Sequence, residues 1–468
     1  MLTMHDDLMK IPETVGRRPA GSSSITALTV AVCVWAISLV CGVYWLSAIG
    51  LGAMVYYFMR FILELGQDLP IESLILVISS LQWIVGPLFA YLGLSHHYKF
   101  HMYVPEQEYM ALAVPGVILL SAGLYSFRSG KRAAIIRDCA EKTGEIVARS
   151  RRLPIYLICV GFVFSYATGR VPESVAFPVY LLSNIKYIGL IYLLFSDGRA
   201  DKKLPLLIAF GLTFVSSLHS AMFHDLLLWS VFVGIYAAYV LKPSMKQKLV
   251  LVLLAVSFVG ALQLVKDHYR MLLLQQGQRN YVSKFLTVVD NELLEDQVFS
   301  DDNVERLVIR FNQGWIISRI MQMVPDAKPY ADGETIITAI RASILPRALY
   351  PDKPIAGGRV NYEKYTGFKL QSNTSMGISL LGEAYLNFGT EGAWAFMLVF
   401  GLLTSLVIRG LFLLTRKYPT LWLWLPLILL HFVKAETELL VQLNYLTKSI
   451  MLVLLFVWAN RTFLRWRL

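Results

Sequence analysis

The chain has 468 residues, of which 56% are hydrophobic and 16% charged, and its mean hydropathy is +0.55. A soluble domain is roughly 45–50% apolar and about 25% charged, so composition excludes one soluble globule and indicates a polytopic, all-α membrane protein. The net charge of +11 comes from basic residues gathered in short loops between apolar runs, the pattern of topology determinants, and nucleic acid is not read as a partner.

In chain order, residues 1–24 form a polar tail that lacks the small-residue cleavage site of a secretory signal. The apolar run 25–63 is too long for one crossing and breaks at Cys41 and Gly42, which predicts two tightly joined helices. Further spans are predicted at 73–95, 106–127, 153–169, 175–196, 203–221, 223–241 and 246–265, then at 392–414, 419–434 and 440–460. That makes about twelve spans at about 20 residues each. The four cysteines Cys33, Cys41, Cys139 and Cys159 outline neither a disulfide framework nor a zinc site.

The loops test this count, because cytoplasmic loops carry the excess of Lys and Arg. Loops 128–152, 199–203, 242–248 and 416–417 and the tail 461–468 are basic, and all fall on the side of the N-terminus. The opposite loops 96–101, 170–173, 217–225 and 434–438 are short or nearly neutral. Both termini are therefore expected in the cytoplasm. The predicted organisation is a tail 1–24, nine spans in 25–265, a large external loop 266–391, three spans in 392–460 and a tail 461–468. Neither a repeat nor an inverted pair of broken spans marks a transporter, and few charges line the middle of the spans, Lys186 and Asp225 standing near span ends or turns.

Within the large loop, 303–324 reads as one amphipathic helix, with Val304, Leu307, Val308, Phe311 and Trp315 on one stripe. Arg306 and Arg310 share its polar face, and Arg319 lies about half a turn round from Arg310. Residues 334–345 form a second helix, ended by Pro346, with Arg341 in its last turn among apolar neighbours; such an arginine is costly without an anion. Pro346, Pro351 and Pro354 stiffen 347–353 into an extended arm, and 357–359 and 362–368 read as loop. A last amphipathic helix, 375–388, carries Glu383 and stops at Gly389.

The order of these features resembles the Wzy-type oligosaccharide repeat-unit polymerases, which are related to the O-antigen ligases. The matching pattern is R-x4-P-x4-P-x-[KR]-P followed by N-[ST]-x4-S-x2-G-E-x-Y-x-N-x-G. It covers Arg341, Pro346, Pro351, Lys353 and Pro354, then Asn373, Thr374, Ser379, Gly382, Glu383, Tyr385, Asn387 and Gly389, with Arg310 on the helix before it. Many relatives carry an arginine at an external helix end before this loop; the comparable place here, 216–225, has His219 and His224 instead.

The resemblance implies a GT-C-like membrane glycosyltransferase architecture. The implied activity moves a growing glycan from undecaprenyl pyrophosphate to the sugar of an incoming lipid-linked repeat unit, at the periplasmic face of the inner membrane. Implied partners are the undecaprenyl-pyrophosphate-linked glycan, membrane lipid, a Wzz-type chain-length regulator and a flippase. The residue types suit this chemistry: arginine offers a permanent charge and a two-pronged donor to pyrophosphate oxygens. Arg341, Arg310 and Arg170 are the first candidates, with Arg270, Arg347 and Lys353 behind them and Asn373, Tyr385 and Asn387 as further substrate contacts.

Glu383 or His224, the latter beside Asp225, is the candidate general base for the acceptor hydroxyl. The plainer alternatives are an interfacial anchor for Arg170, a helix-end histidine for His224 and an Arg341 partner or helix cap for Glu383. No metal motif occurs in the loop, so the expected transfer uses neither metal nor cofactor. Ligation of finished glycan to a lipid acceptor and transport of lipid-linked sugars are the alternative functions.

Overall fold

The computed structural model describes residues 20–196, 199–220, 223–277, 280–294, 300–346, 349–355, 357–371, 374–460 and 462, and every regular element among them is helical. The first helices are α1 (Ala20–Val40), α2 (Trp45–Glu64), α3 (Ile71–Tyr91), α4 (Glu106–Ser126), α5 (Arg132–Arg149) and α6 (Leu153–Ala167). Next come α7 (Glu173–Ser183), α8 (Ile185–Leu194), α9 (Arg199–Ser220), α10 (His224–Leu241) and α11 (Met245–Gln276). The large loop holds α12 (Tyr281–Val289), α13 (Asp301–Phe311), α14 (Gly314–Met323), α15 (Glu334–Ile344) and α16 (Arg359–Thr366). The chain closes with α17 (Leu380–Thr415), α18 (Pro419–Val433) and α19 (Leu439–Ala459).

Among the described residues, eight helices are long and apolar enough to cross a membrane: α2, α3, α4, the pair α7 and α8 counted as Val175–Leu194, α10, α11, α17 and α19. Four shorter apolar helices, Ser24–Val40, Leu153–Ala167, Leu204–His219 and Pro419–Val433, stand where the remaining spans are predicted. The chain is a helical membrane protein, and the predicted break near Cys41 and Gly42 falls between α1 and α2.

Several expectations are corrected. Most of the basic stretch 128–152 is the helix α5, whose Arg132, Ile136, Cys139, Thr143 and Val147 form a buried stripe. The ninth predicted span does not stop at 265, because α11 continues to Gln276. The single helix expected over 303–324 is two helices, broken at Asn312 and Gln313. There the Asn312 side chain accepts from the Trp315 amide at 3.2 Å, and the Gln313 amide donates to the Gln82 carbonyl of α3 at 3.0 Å. Residues 359–366 are helical rather than loop. The helix that carries Glu383 begins at Leu380 rather than at 375; Gly389, with a non-helical φ of 67°, breaks it as expected, and the membrane helix follows directly within the range of α17.

Two features fix the frame. Helices α4 and α17 run parallel and touch backbone to backbone: a Cβ on Gly401 would lie 2.6 Å from the Leu120 carbonyl oxygen, and one on Gly123 would lie 2.5 Å from that of Leu398. Small residues allow this approach where no apolar driving force exists between helices in lipid. The second feature is an ion-pair cluster at the end of the bundle where α1 begins. Arg128 meets Glu64 and Asp68 at 2.7 Å each, while buried Arg132 meets Asp68 at 3.0 Å and also pairs with Glu72. At the opposite end α14 is inserted into the bundle, with Trp315, Ile316, Ile317 and Ile320 all buried.

Candidate functional site

The segment before α17 reaches the bundle through a close backbone approach. A Cβ on Gly377 would lie 2.2 Å from the Glu436 carbonyl oxygen, so only glycine lets 374–379 lie against the turn between α18 and α19. That contact sets the first turn of α17 against the start of α19. Glu383 and Glu438 are both buried there, at 0% and 1% exposure. Glu383 Oε2 accepts from the Leu439 amide at 2.7 Å, which puts a carboxylate at the N-terminus of α19, where unpaired amides favour negative charge. Glu383 Oε1 is buried without a hydrogen-bond partner. Glu438 accepts from Asn361 of α16 at 3.0 Å. Burial holds the Glu438 carboxyl above the usual carboxylate range, against the lowering effect of Asn361 and the Gly358 amide.

The turn 434–438 is a hub, because its three charged side chains reach two other helices, α10 and α16. Lys434 donates to Asp225 of α10 at 2.8 Å, Glu436 lies 3.2 Å from His224 Nε2, and Glu438 holds α16. Asp225 also accepts from Tyr180 at 2.7 Å. His224 therefore faces Glu436, while Lys434 and Tyr180 occupy Asp225, the residue expected to orient it. Lys186 is not at a span end: it lies inside Val175–Leu194, is 7% exposed, and donates to Ser165 at 2.6 Å.

On the outward side of the same end, cations stack on aromatic rings. The Arg319 guanidinium lies 5.1 Å from the Tyr103 ring and 5.0 Å from the Phe368 ring, and the Lys99 ammonium lies 4.9 Å from Phe368. Arg319 also donates to the Thr366 carbonyl at 2.9 Å. Helix α16 joins the two sites, since Asn361 near its start holds Glu438 and Thr366 at its end holds Arg319. Five residues of helix separate them, about 7.5 Å along the axis.

The predicted residues fall in different places. Tyr385 donates to the Val324 carbonyl at 3.0 Å, and Asn387 bridges the Gly333 amide and Thr335 Oγ1 at 2.9 and 2.8 Å, so both fasten α15 and the turn before it onto α17. Arg341 is exposed near the end of α15, and Glu383 takes the Leu439 amide instead of an arginine. Arg170 folds back on Tyr166, 3.9 Å from its ring, as an interfacial anchor would. Arg270 is exposed on α11, Arg310 is half-buried on α13, and Lys353 donates to the Leu345 carbonyl at 3.0 Å. Arg347 and Asn373 lie outside the described residues. Among the described residues, no three His, Cys, Asp or Glu side chains gather as a metal site.

Sequence reasoning missed Asn361 and Tyr103, and it treated Lys99 and the run Lys434 to Glu438 only as parts of short loops. The available signal was the spacing Lys434, Glu436, Glu438, three charges in five residues between two long apolar runs.

Comparison with curated proteins and with solved structures finds no match. One family model, described as a domain of unknown function (DUF8712), matches residues 90–410. The matched stretch carries Lys99, Tyr103, Arg319, Asn361 and Glu383, and the hub 434–438 lies beyond it. With that match spanning more than half of its length, the chain belongs to the DUF8712 family.

Proposed function

We propose that this chain is a membrane glycosyltransferase that polymerises lipid-pyrophosphate-linked oligosaccharide repeat units, acting at the end of the bundle that carries Glu383 and Arg319. The observation that supports this reading is a buried acid pair, Glu383 and Glu438, tied through α16 to a half-exposed surface of cations on aromatic rings. In the transfer, the acceptor hydroxyl oxygen bonds to the anomeric carbon while the bond from that carbon to the pyrophosphate oxygen breaks. The hydroxyl proton passes to a carboxylate, for which Glu383 Oε1 is the acceptor at hand. The leaving pyrophosphate is held by the outward cations Arg319 and Lys99, with exposed Arg341 as a further donor; each well-placed donor is worth about 100- to 1000-fold in rate. Sugar rings stack on Tyr103 and Phe368. Because Glu383 is fully buried, contact with an acceptor requires segment 374–379 to part from the turn 434–438.

Transport of lipid-linked sugars is the second reading, favoured by Lys186, a charge inside an apolar span, since ionisable groups within spans mark pathways for ions or substrates. Deleting the protein in its native cell separates the functions. Polymerase loss leaves single-repeat glycan on the surface, ligase loss leaves free lipid-linked polymer, and transporter loss leaves repeat units on the cytoplasmic face. Either of the last two outcomes would remove the polymerase reading.

A further inference from the structure

The end of the bundle opposite the acid pair holds a cavity of about 240 Å³ between α4, α5 and α17. Its apolar wall includes Phe127, Ile135 and Phe412, and its cations are Arg128, Arg132, Arg409 and Arg416. Charge decides what it fits. Arg60, Arg128 and Arg132 are matched by Glu64, Asp68 and Glu72 in direct pairs. Arg409 and Arg416 are exposed, and neither side chain makes a hydrogen bond or ion pair among the described residues. The cavity therefore carries two positive charges that no described residue neutralises.

Those two arginines are seven residues apart, so they face the same side of α17 about 10.5 Å apart along its axis. Arg409 lies six residues, about 9 Å, inside the end of a membrane helix, where a cation needs a partner or access to water. In the floor, Glu72 takes Arg132 with one carboxylate oxygen, while Oε2 is buried without a donor. The cavity thus offers cations at the rim, an acceptor in the floor and an apolar wall.

We propose that this cavity binds the headgroup of an anionic phospholipid, with its phosphate on Arg409 and Arg416, a headgroup hydroxyl turned toward Glu72 and an acyl chain along Phe127 and Phe412. The charge rule places this end at the cytoplasmic leaflet, which is rich in anionic lipid. This inference is independent of the proposed glycan transfer. Short-chain phosphatidylglycerol, phosphatidylcholine and inorganic pyrophosphate are the probes, and native mass spectrometry of the full-length protein in detergent is the readout.

The wild type is expected to retain phosphatidylglycerol over phosphatidylcholine and to keep it in excess pyrophosphate. The double variant Arg409→Gln/Arg416→Gln is expected to lose about tenfold in affinity. Lys131→Gln/Lys417→Gln, which removes two exposed charges from the same end but outside the cavity, is expected to bind as the wild type does. Equal loss in both double variants would reduce the effect to general surface charge and overturn the proposal. Unchanged binding by the arginine variant, or displacement of the lipid by pyrophosphate, would overturn it as well.

Discussion

At the scale of single residues, the account turns on Glu383 and Glu438, two carboxyl groups that share one buried pocket and cannot both be ionised there without large cost. Burial raises the Glu438 pKa, so the folded state holds a proton that the unfolded chain releases near its ordinary value of about 4. The stability this proton contributes is fully present below that value and is lost as pH rises through the raised one. Thermal unfolding in detergent should therefore show a melting temperature that falls as pH rises above about 5, and Glu438→Gln should flatten the fall. A slope that Glu438→Gln leaves intact would place the titrating group elsewhere. Only half of this pair was legible in the sequence. Glu383 stands out as a lone acid between Gly382 and Tyr385 at the head of an apolar helix, whereas Glu438 closes a short charged turn that reads as solvated. What buries Glu438 is the distant contact of Gly377 with Glu436, which no local pattern announces.

At the scale of elements, α5 shows how a stretch that looks like a solvated basic loop becomes part of the frame. Arg132 is 4% exposed, pairs with Asp68 and Glu72 and lies 4.2 Å from the Phe412 ring, so it ties the corner between α2 and α3 to α5 and α17. Removing one partner of a buried ion pair leaves an uncompensated charge and typically costs about 3–5 kcal/mol. Arg132→Met should thus unfold at markedly lower temperature than the wild type, while Arg137→Met, on an exposed face of the same helix, should unfold at the wild-type temperature. Most membrane helices were legible because long apolar runs mark them, and the eight helices long and apolar enough to cross a membrane among the described residues all fall on predicted spans. The break between α13 and α14 was not, because Asn312 and Gln313 are tolerated inside a helix and the apolar stripe continues through them. The break arises from tertiary bonding, as Gln313 is drawn onto the Gln82 carbonyl of α3. Helix α16 was overlooked for a related reason: Gly358 and Gly367 bracket eight residues so closely that the whole reads as a turn region.

At the scale of the molecule, the ion-pair cluster and the acid pair lie at opposite ends of one bundle. The parallel course of α4 and α17 from the first-turn acid Glu383 to the cationic cavity fixes that arrangement. With the native cysteines replaced, single cysteines at Ser129 and Lys364 should react with an impermeant thiol reagent from opposite sides of sealed vesicles. Labelling from one side would refute the topology read from the basic loops. The central claim is metal-independent transfer of lipid-linked glycan with Glu383 as base. It is tested most directly by the product ladder that purified protein in lipid makes from an undecaprenyl-pyrophosphate-linked repeat unit in the presence of chelator. The account predicts a ladder for the wild type, a loss of about 100-fold or more in chain growth for Glu383→Gln, and a loss of about 100-fold for Arg341→Ala. Folded wild-type protein that builds no ladder from its cognate repeat unit, or a Glu383→Gln variant that builds it at the wild-type rate, would contradict it.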